Sequence, residues 1–172
     1  DEVRVKDKKV SLVKDLVYIL VNKPKNYITT TEDPQGRKTV LDLIKKATNE
    51  RVFPIGRLDR NTSGVLLLTN DGDLSQQLTH PSNQVKKIYS VVLDKPLTKD
   101  HFEQILKGIT LDDGPAHVDV MAYTDPKDKT MIGVELHGGR NRIVRRIFEH
   151  FGYDVKTLDR VVFAGLTKKN LQ

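Results

Sequence analysis

The feature that most constrains the fold of this chain is a series of short apolar segments separated by turn residues. Gly64-Val-Leu-Leu-Leu-Thr69 is the clearest of them, because a short apolar run ended by Asn70-Asp71-Gly72 is typical of a fully buried strand. A turn at 125–128 predicts an antiparallel hairpin between its flanking strands. Since strands outnumber helices and often follow one another directly, we expect an α+β fold on a mostly antiparallel sheet. The other predicted strands cover 17–21, 88–93, 116–123, 130–137 and 155–163.

Four segments have the spacing of helices. Thr39 and Asp42 form a capping-box pattern that predicts a helix over 39–48. A short helix is expected between Gly72 and Pro81, and a longer one over 98–108. The last helix is predicted over 141–151, with an apolar stripe formed by Ile143, Val144, Ile147, Phe148 and Phe151.

The composition excludes several classes of protein. With no cysteine and five histidines that never fall at short ligand-like spacing, a structural metal site is not expected. No segment approaches the length of a membrane helix, and the N-terminus lacks a signal-peptide pattern, so we expect a soluble, cytoplasmic protein. A net charge of +6 makes a polyanion a plausible partner.

Basic residues are concentrated in two places. One cluster contains four arginines within seven residues, and the other is a lysine pair that precedes an aromatic residue. Such clusters suit contacts with phosphates, although a solvated surface explains the same pattern and stays open. The residues concerned are Arg140, Arg142, Arg145 and Arg146, with Lys86 and Lys87.

The segment with the strongest chemical signal is Gly56-Arg-Leu-Asp-Arg-Asn-Thr-Ser-Gly64. It places Asp59 between Arg57 and Arg60 in a polar loop before a buried strand, where positive charge favours the ionised carboxylate. Such a carboxylate can act as a nucleophile or a general base, but a structural ion pair is the commoner explanation for the pattern alone. The loop fits neither the serine-hydrolase elbow nor the glycine-rich nucleotide motifs.

The same segment resembles the catalytic signature of the RsuA/RluA-type pseudouridine synthases. Five further segments resemble the RsuA/RluB-type branch of that family in the same order, and the resemblance extends from about residue 17 onward. These segments are Asn22-Lys-Pro-Lys, Asp33-Pro-Gln-Gly-Arg-Lys-Thr-Val-Leu-Asp42, Thr69-Asn-Asp-Gly-Asp-Leu74, Lys87-Ile-Tyr89 and Gly139-Arg-Asn-Arg-Ile-Val-Arg-Arg146.

The resemblance implies the pseudouridine synthase fold, with a basic cleft and no cofactor or metal. It implies a catalytic domain over 17–172, preceded at 1–16 by the tail of a truncated RNA-binding domain and a linker. The expected partner is ribosomal RNA or a pre-ribosomal particle, and the expected state is a monomer. Large-subunit RNA is preferred as the substrate, while a small-subunit substrate and a non-catalytic RNA-binding module remain alternatives. A carboxylate hydrolase would need a second placed acid, which no motif offers.

Residue roles follow from the resemblance. Asp59 is the catalytic acid, which either attacks the uracil ring or assists a proton shift on the ribose. Tyr89 packs on the target base and moves a proton, and Arg145 pairs with Asp59. Arg57 fills the gap that the flipped base leaves. The remaining candidates for RNA binding are Arg60, Lys86, Lys87, Arg140, Arg142 and Arg146.

Two positions depart from the family pattern. Asn26 stands where glycine is usual, a replacement that left-handed backbone geometry tolerates. Ile143 stands where relatives often carry Gln or Glu, so a polar contact near Arg145 is expected to be missing.

Overall fold

The computed structural model describes residues 15–30, 35–138, 140 and 142–167, and its main element is a mixed eight-stranded sheet. Strand order is β1-β3-β9-β4-β8-β7, with β2 also on β3 and β10 also on β9, while β5 and β6 form a separate hairpin. The strands are β1 (Tyr18–Lys23), β2 (Phe53–Pro54), β3 (Ser63–Thr69), β4 (Lys86–Leu93), β5 (Ile109–Leu111), β6 (Gly114–Ala116), β7 (Val120–Tyr123), β8 (Met131–His137), β9 (Val155–Phe163) and β10 (Leu166–Thr167). The helices are α1 (Val40–Leu43), α2 (Gly72–Thr79), α3 (Lys99–Lys107) and α4 (Ile143–Glu149), with a 3₁₀ turn at Pro81–Asn83.

The predicted α+β class with a mainly antiparallel sheet is confirmed. Among the described strands, β3 and β9 pair in parallel, and the other pairings are antiparallel. The predicted hairpin around 125–128 joins β7 to β8. No helix of the described part is long and apolar enough to cross a membrane.

Strand β3 is buried on both faces, as its continuous apolar run predicts. Because side chains alternate along a strand, Leu66 and Leu68 enter one core cluster while Val65 and Leu67 enter another. The first cluster includes Leu58, which anchors the loop that carries Asp59 in the core. A third and larger cluster lies where α3 and α4 pack on β4 and β8.

Gly64 lets strands β3 and β9 approach each other closely. It pairs with Arg160, and a Cβ at position 64 would lie 2.3 Å from the Arg160 carbonyl oxygen. Its φ of +127° is also one that residues with a side chain rarely adopt. The glycine that ends the Asp59 segment is therefore required by the backbone at the point where the segment enters β3.

Two helices differ in extent from the prediction. Helix α1 stops at Leu43 rather than 48, because Ile44 and the residues after it form tight turns in which the Thr48 hydroxyl accepts a hydrogen bond from the Glu50 N–H. Its predicted cap is present, since Asp42 accepts from the Thr39 N–H at 2.9 Å. Helix α4 begins at Ile143, because Arg142 has a left-handed φ of 53°.

Short elements account for the other differences. The predicted strand over 116–123 is divided between β6 and β7, and the β5–β6 hairpin precedes it. Strands β2, β5, β6 and β10 contain two or three residues each, which is too short for an alternation pattern to show. Asn26 has a φ of 76°, which confirms the left-handed turn expected there. Residues 1–14 lie outside the described part, so the RNA-binding tail at 1–16 stays a prediction.

Candidate active site

A pocket of about 720 Å³ opens at the end of the sheet where the Asp59 loop enters β3. Its walls come from that loop, from β4 and β9, and from the segment that leads into α4. This volume is within the range of small-molecule sites. Residues that are far apart in the sequence therefore line one cavity, among them Asp59, Tyr89, Arg142 and Arg160.

Asp59 is held by two guanidinium groups that approach the same carboxylate oxygen. Arg142 Nη1 donates to Oδ2 at 2.9 Å, and Arg145 Nε lies 3.9 Å from Oδ2. Within the described residues, Oδ1 has no cation partner, and the side chain is 31% exposed. The loop itself is fixed by a turn from the Thr62 N–H to the Asp59 carbonyl and by the Asn26 N–H, which donates to the Arg60 carbonyl. Oδ2 is thus restrained by both arginines.

Arg145 fixes the loop more directly than it fixes the carboxylate. The residue is 7% exposed on the core side of α4, and its Nη2 donates to the Asn61 carbonyl at 2.9 Å and to Thr62 Oγ1 at 3.3 Å. Burial lowers the pKa of Arg145, and the charge of Arg142 lowers it further. Among the residues that the structure describes, Nε is a buried donor without a hydrogen-bond partner. Its contact with Asp59 is an ion pair at the limit of range, so the expected Arg145 pairing is present only as a long contact.

Arg142 makes the direct salt bridge, although the sequence suggested phosphate or solvent as its partner. Its left-handed backbone at the start of α4 is uncommon for a residue with a side chain, and such conformations concentrate at functional sites. Nothing in the sequence indicates which of the four arginines in 140–146 has a left-handed backbone. The direct partner of Asp59 therefore could not be chosen from the spacing.

Tyr89 lies on β4 with its side chain in the pocket wall, and Lys87 shares its face because side chains alternate along a strand. Lys87 Nζ donates to the Gly138 carbonyl at 2.7 Å, which ties β4 to the segment before α4. Burial raises the pKa of Tyr89 and lowers that of Lys87. Both groups are therefore partly withdrawn from water at the pocket wall.

Sequence reasoning missed two buried cations beside this pocket. Arg160 on β9 is 2% exposed and lines the cavity. Because it lies two residues after the buried Leu158 on the same strand, the alternation of side chains could have predicted that it faces the interior. Lys23 is fully buried at the end of β1, where Nζ donates to the Pro24 and Tyr27 carbonyls at 2.9 and 2.8 Å. Burial lowers the pKa of Lys23 to about 8, and the charge of Asp59 opposes this shift. Lys23 is therefore an additional cation near the carboxylate.

The expected RNA-binding residues divide into two groups. The structure brings Arg57, Lys87, Arg140 and Arg142 to the pocket wall. It does not bring Arg60, Lys86 or Arg146 there. Arg60 is exposed on the loop, and Lys86 pairs with Glu135 at 3.5 Å.

Arg140 and Arg146 share one partner at the tip of the β5–β6 hairpin. Both donate to Asp113 Oδ1, and Arg140 also donates to the Pro115 carbonyl. The hydrogen bonds from Arg146 and Arg140 lower the pKa of Asp113 to about 2. Asp113, which does not line the pocket, thus sits between the guanidinium groups of Arg140 and Arg146. Within the described residues, no group of three or more His, Asp or Glu side chains could hold a metal ion.

Residues 17–150 match the family described as RNA pseudouridylate synthase. The chain therefore belongs to the RNA pseudouridylate synthase family, which confirms the resemblance. An uncharacterized RNA pseudouridine synthase of Mycobacterium leprae is 42% identical over 161 residues, which cover 92% of this chain and 63% of that protein. The ribosomal large subunit pseudouridine synthase B of Bacillus subtilis is 37% identical over 174 residues, covering 99% of this chain and 70% of that protein.

The fold comparison agrees with the sequence comparison. A solved structure described as a pseudouridylate synthase matches with a TM-score of 0.81 at 25% identity, over 90% of this chain and 66% of that one. The archaeal box H/ACA Nop10-Cbf5 complex matches with a TM-score of 0.65 at 18% identity, which shows a shared fold. The chain spans 63% of the length of its Mycobacterium leprae relative.

Proposed function

We propose that this protein converts a specific uridine of ribosomal RNA to pseudouridine. Membership of the pseudouridylate synthase family supports the reaction, and relatives named ribosomal large subunit pseudouridine synthase B support a large-subunit RNA substrate. The single observation that carries the proposal is a partly exposed Asp59 carboxylate, with one oxygen held by Arg142, facing a pocket that Tyr89 also lines.

The proposed chemistry requires an anion and a group that handles a proton. Conversion breaks the bond from ribose C1′ to N1 and forms one from C1′ to C5, after which the hydrogen at C5 is lost and N1 carries a proton. Asp59 acts in the first stage, by attack on the uracil ring or by assisting a proton shift on the ribose. Tyr89 packs on the base and moves the proton. Arg142 and Arg145 hold the carboxylate and its loop.

The target base must leave its stack to reach Asp59, because a base stacked in a duplex cannot reach a side chain in the wall of a pocket. Extrusion costs a few kcal/mol, and an inserted planar cation restores part of the stacking. Arg57 is exposed on the pocket wall and is suited to this role. Lys87 and Arg140 line the same pocket and offer positive charge to the flanking phosphates.

The proposal is tested by incubating the chain with large-subunit and small-subunit ribosomal RNA transcripts. Pseudouridine is then located by carbodiimide labelling and primer extension. We expect one labelled site in large-subunit RNA for the wild type and none for Asp59→Asn, which keeps the side-chain shape without the anion. Glu103→Gln is the matched control, since Glu103 is an exposed acid on α3 away from the pocket. Pseudouridine formed by a clean Asp59→Asn preparation would contradict the role of Asp59.

A further inference from the structure

Tyr89 and Arg160 are direct neighbours across the β4–β9 strand pair. Their Cα atoms are register partners, and both side chains line the pocket. The Arg160 guanidinium also makes a side-chain hydrogen bond with Tyr89, the tyrosine that the proposed chemistry uses. Arg160 is one of the largest fully buried side chains of the described protein, so this placement is a feature of the core and not of a mobile surface.

Two groups hold the Arg160 guanidinium in place, the Val65 carbonyl and the Phe163 ring. Its Nε and Nη2 both donate to the Val65 carbonyl, at 3.0 and 2.8 Å. The guanidinium lies 4.4 Å from the centre of the Phe163 ring. The absence of a Cβ at Gly64 lets β3 approach the Arg160 backbone closely enough for these bonds. Nε and Nη2 are thereby bound to β3. These two bonds fix the orientation of the guanidinium, and with it the direction of the remaining nitrogen, Nη1.

The chemistry of the two groups fixes the direction of their contact. A guanidinium donates hydrogen bonds and cannot accept them, so the Tyr89 oxygen must be the acceptor in any bond with Arg160. The tyrosine proton then points away from Arg160. Arg160 lowers the pKa of Tyr89 against the larger effect of burial, which raises it together with the charge of Asp59. The tyrosine thus stays a neutral hydroxyl with one lone pair occupied.

We propose that Arg160 is a positioning residue that accepts no proton itself but orients the Tyr89 hydroxyl, so that the Tyr89 proton is directed into the pocket and toward the bound base. This role rests on the proposed function. It goes beyond that function by assigning a task to a buried cation that the proposed chemistry does not use. Arg142 and Arg145 hold the carboxylate side of the pocket, and Arg160 holds the tyrosine side.

The first test measures the ionisation of Tyr89 without any RNA. The chain is labelled with fluorotyrosine, and its five tyrosines are followed by fluorine NMR during a pH titration, with Tyr89→Phe used to assign the signal. Arg160→Gln removes the cation while burial remains, so the Tyr89 midpoint rises by roughly one pH unit or more. Arg160→Lys keeps the charge and a donor, and the midpoint rises less. The charged neighbours Lys87 and Asp59 are not substituted in these variants. Tyr123 serves as the internal control, because burial raises its pKa and Arg160 does not affect it.

An unchanged Tyr89 midpoint in a folded Arg160→Gln variant overturns the proposal. Should that variant not fold, Arg160→Lys carries the test, because an ammonium loses the paired bonds to Val65 and must also shift the midpoint. A shift of equal size at Tyr123 would mean a general change of the fold and would overturn it as well. These results do not depend on whether the chain acts on RNA.

The second test separates positioning from mere stability. We expect Arg160→Gln to lower kcat with little change in KM, and the double variant with Tyr89→Phe to be no slower than Tyr89→Phe alone. Additive losses would overturn the proposal, because they would mean that Arg160 acts independently of Tyr89. A wild type that forms no pseudouridine would refute the proposed function instead, while the titration would still decide the tie between Arg160 and Tyr89.

Discussion

Arg142 Nη1 lies 2.9 Å from Asp59 Oδ2, although 83 residues separate the two in sequence. The contact joins the loop before β3 to the first residue before α4, and it depends on the left-handed backbone of Arg142. Arg145, one turn further along the same helix, reaches the same oxygen only at 3.9 Å. The two arginines therefore have different tasks, and variants should separate them.

Arg142→Met is expected to lower kcat/KM for pseudouridine formation by about 100-fold, which corresponds to about 2.7 kcal/mol. The carboxylate would lose the bond that restrains Oδ2, while the fold would change little because Arg142 is partly exposed. Arg142→Lys should recover part of the activity, since the charge is kept without the planar geometry. Single-turnover rates and melting temperatures check this. A Met variant with wild-type rates would assign Arg142 to the RNA surface.

Arg145→Met is expected to reduce both stability and activity. The Asn61 carbonyl and Thr62 hydroxyl would lose a buried donor, at a cost of about 1–3 kcal/mol of unfolding free energy. Arg145→Lys should keep partial activity, while the Met variant should lose nearly all of it. Urea unfolding and turnover are measured on the same preparations. Equal activity of the two variants would contradict a role for the Arg145 side chain in holding the loop.

The fold was largely predictable because β3 and the strands after it have clear patterns in the sequence. Each long strand appears as a short apolar or alternating run, and Asn70-Asp71-Gly72 marks where one ends. The two-residue strand β2 and the β5–β6 hairpin were missed, because such short pairings arise from tertiary contacts. Helix α1 was extended too far because its apolar spacing continues through Ile44 and Ala47, where the backbone already forms tight turns.

The sequence predicted several residues that line one pocket, among them Asp59, Tyr89 and Arg142, but it did not predict their contact partners. The Asp59 segment and Tyr89 could be placed in one pocket by resemblance. Whether Arg142 or Arg145 makes the direct salt bridge with Asp59 depends on the backbone angle of Arg142. The contacts of Asp113 with two arginines depend on the β5–β6 hairpin, which was not predicted. Arg160 and Lys23 are cations inside strands, where a sequence pattern gives position but not the carbonyl groups that satisfy them.

Lys23 should make stability depend on pH in the alkaline range. Its pKa is lowered to about 8 in the folded chain from an ordinary value of 10.5, so the unfolded chain binds more protons between these values. Stability therefore rises as pH increases from about 8 toward 10.5. Lys23→Met should abolish this component. Urea unfolding of both chains at several pH values gives the difference, and a difference that does not vary with pH would contradict a depressed Lys23 pKa.

Asp113→Asn is expected to strengthen RNA binding at low salt and to steepen its salt dependence. The carboxylate neutralises Arg140 and Arg146 in the free protein, so the amide leaves two guanidinium groups with more charge to offer phosphates. Each added phosphate contact increases the slope of log affinity against log salt by roughly 0.7 to 0.9. Asp112→Asn is the matched control on the same turn. Filter binding over a salt series decides the matter: weaker binding by the Asp113 variant would mean that RNA needs the arginines fixed in place by Asp113.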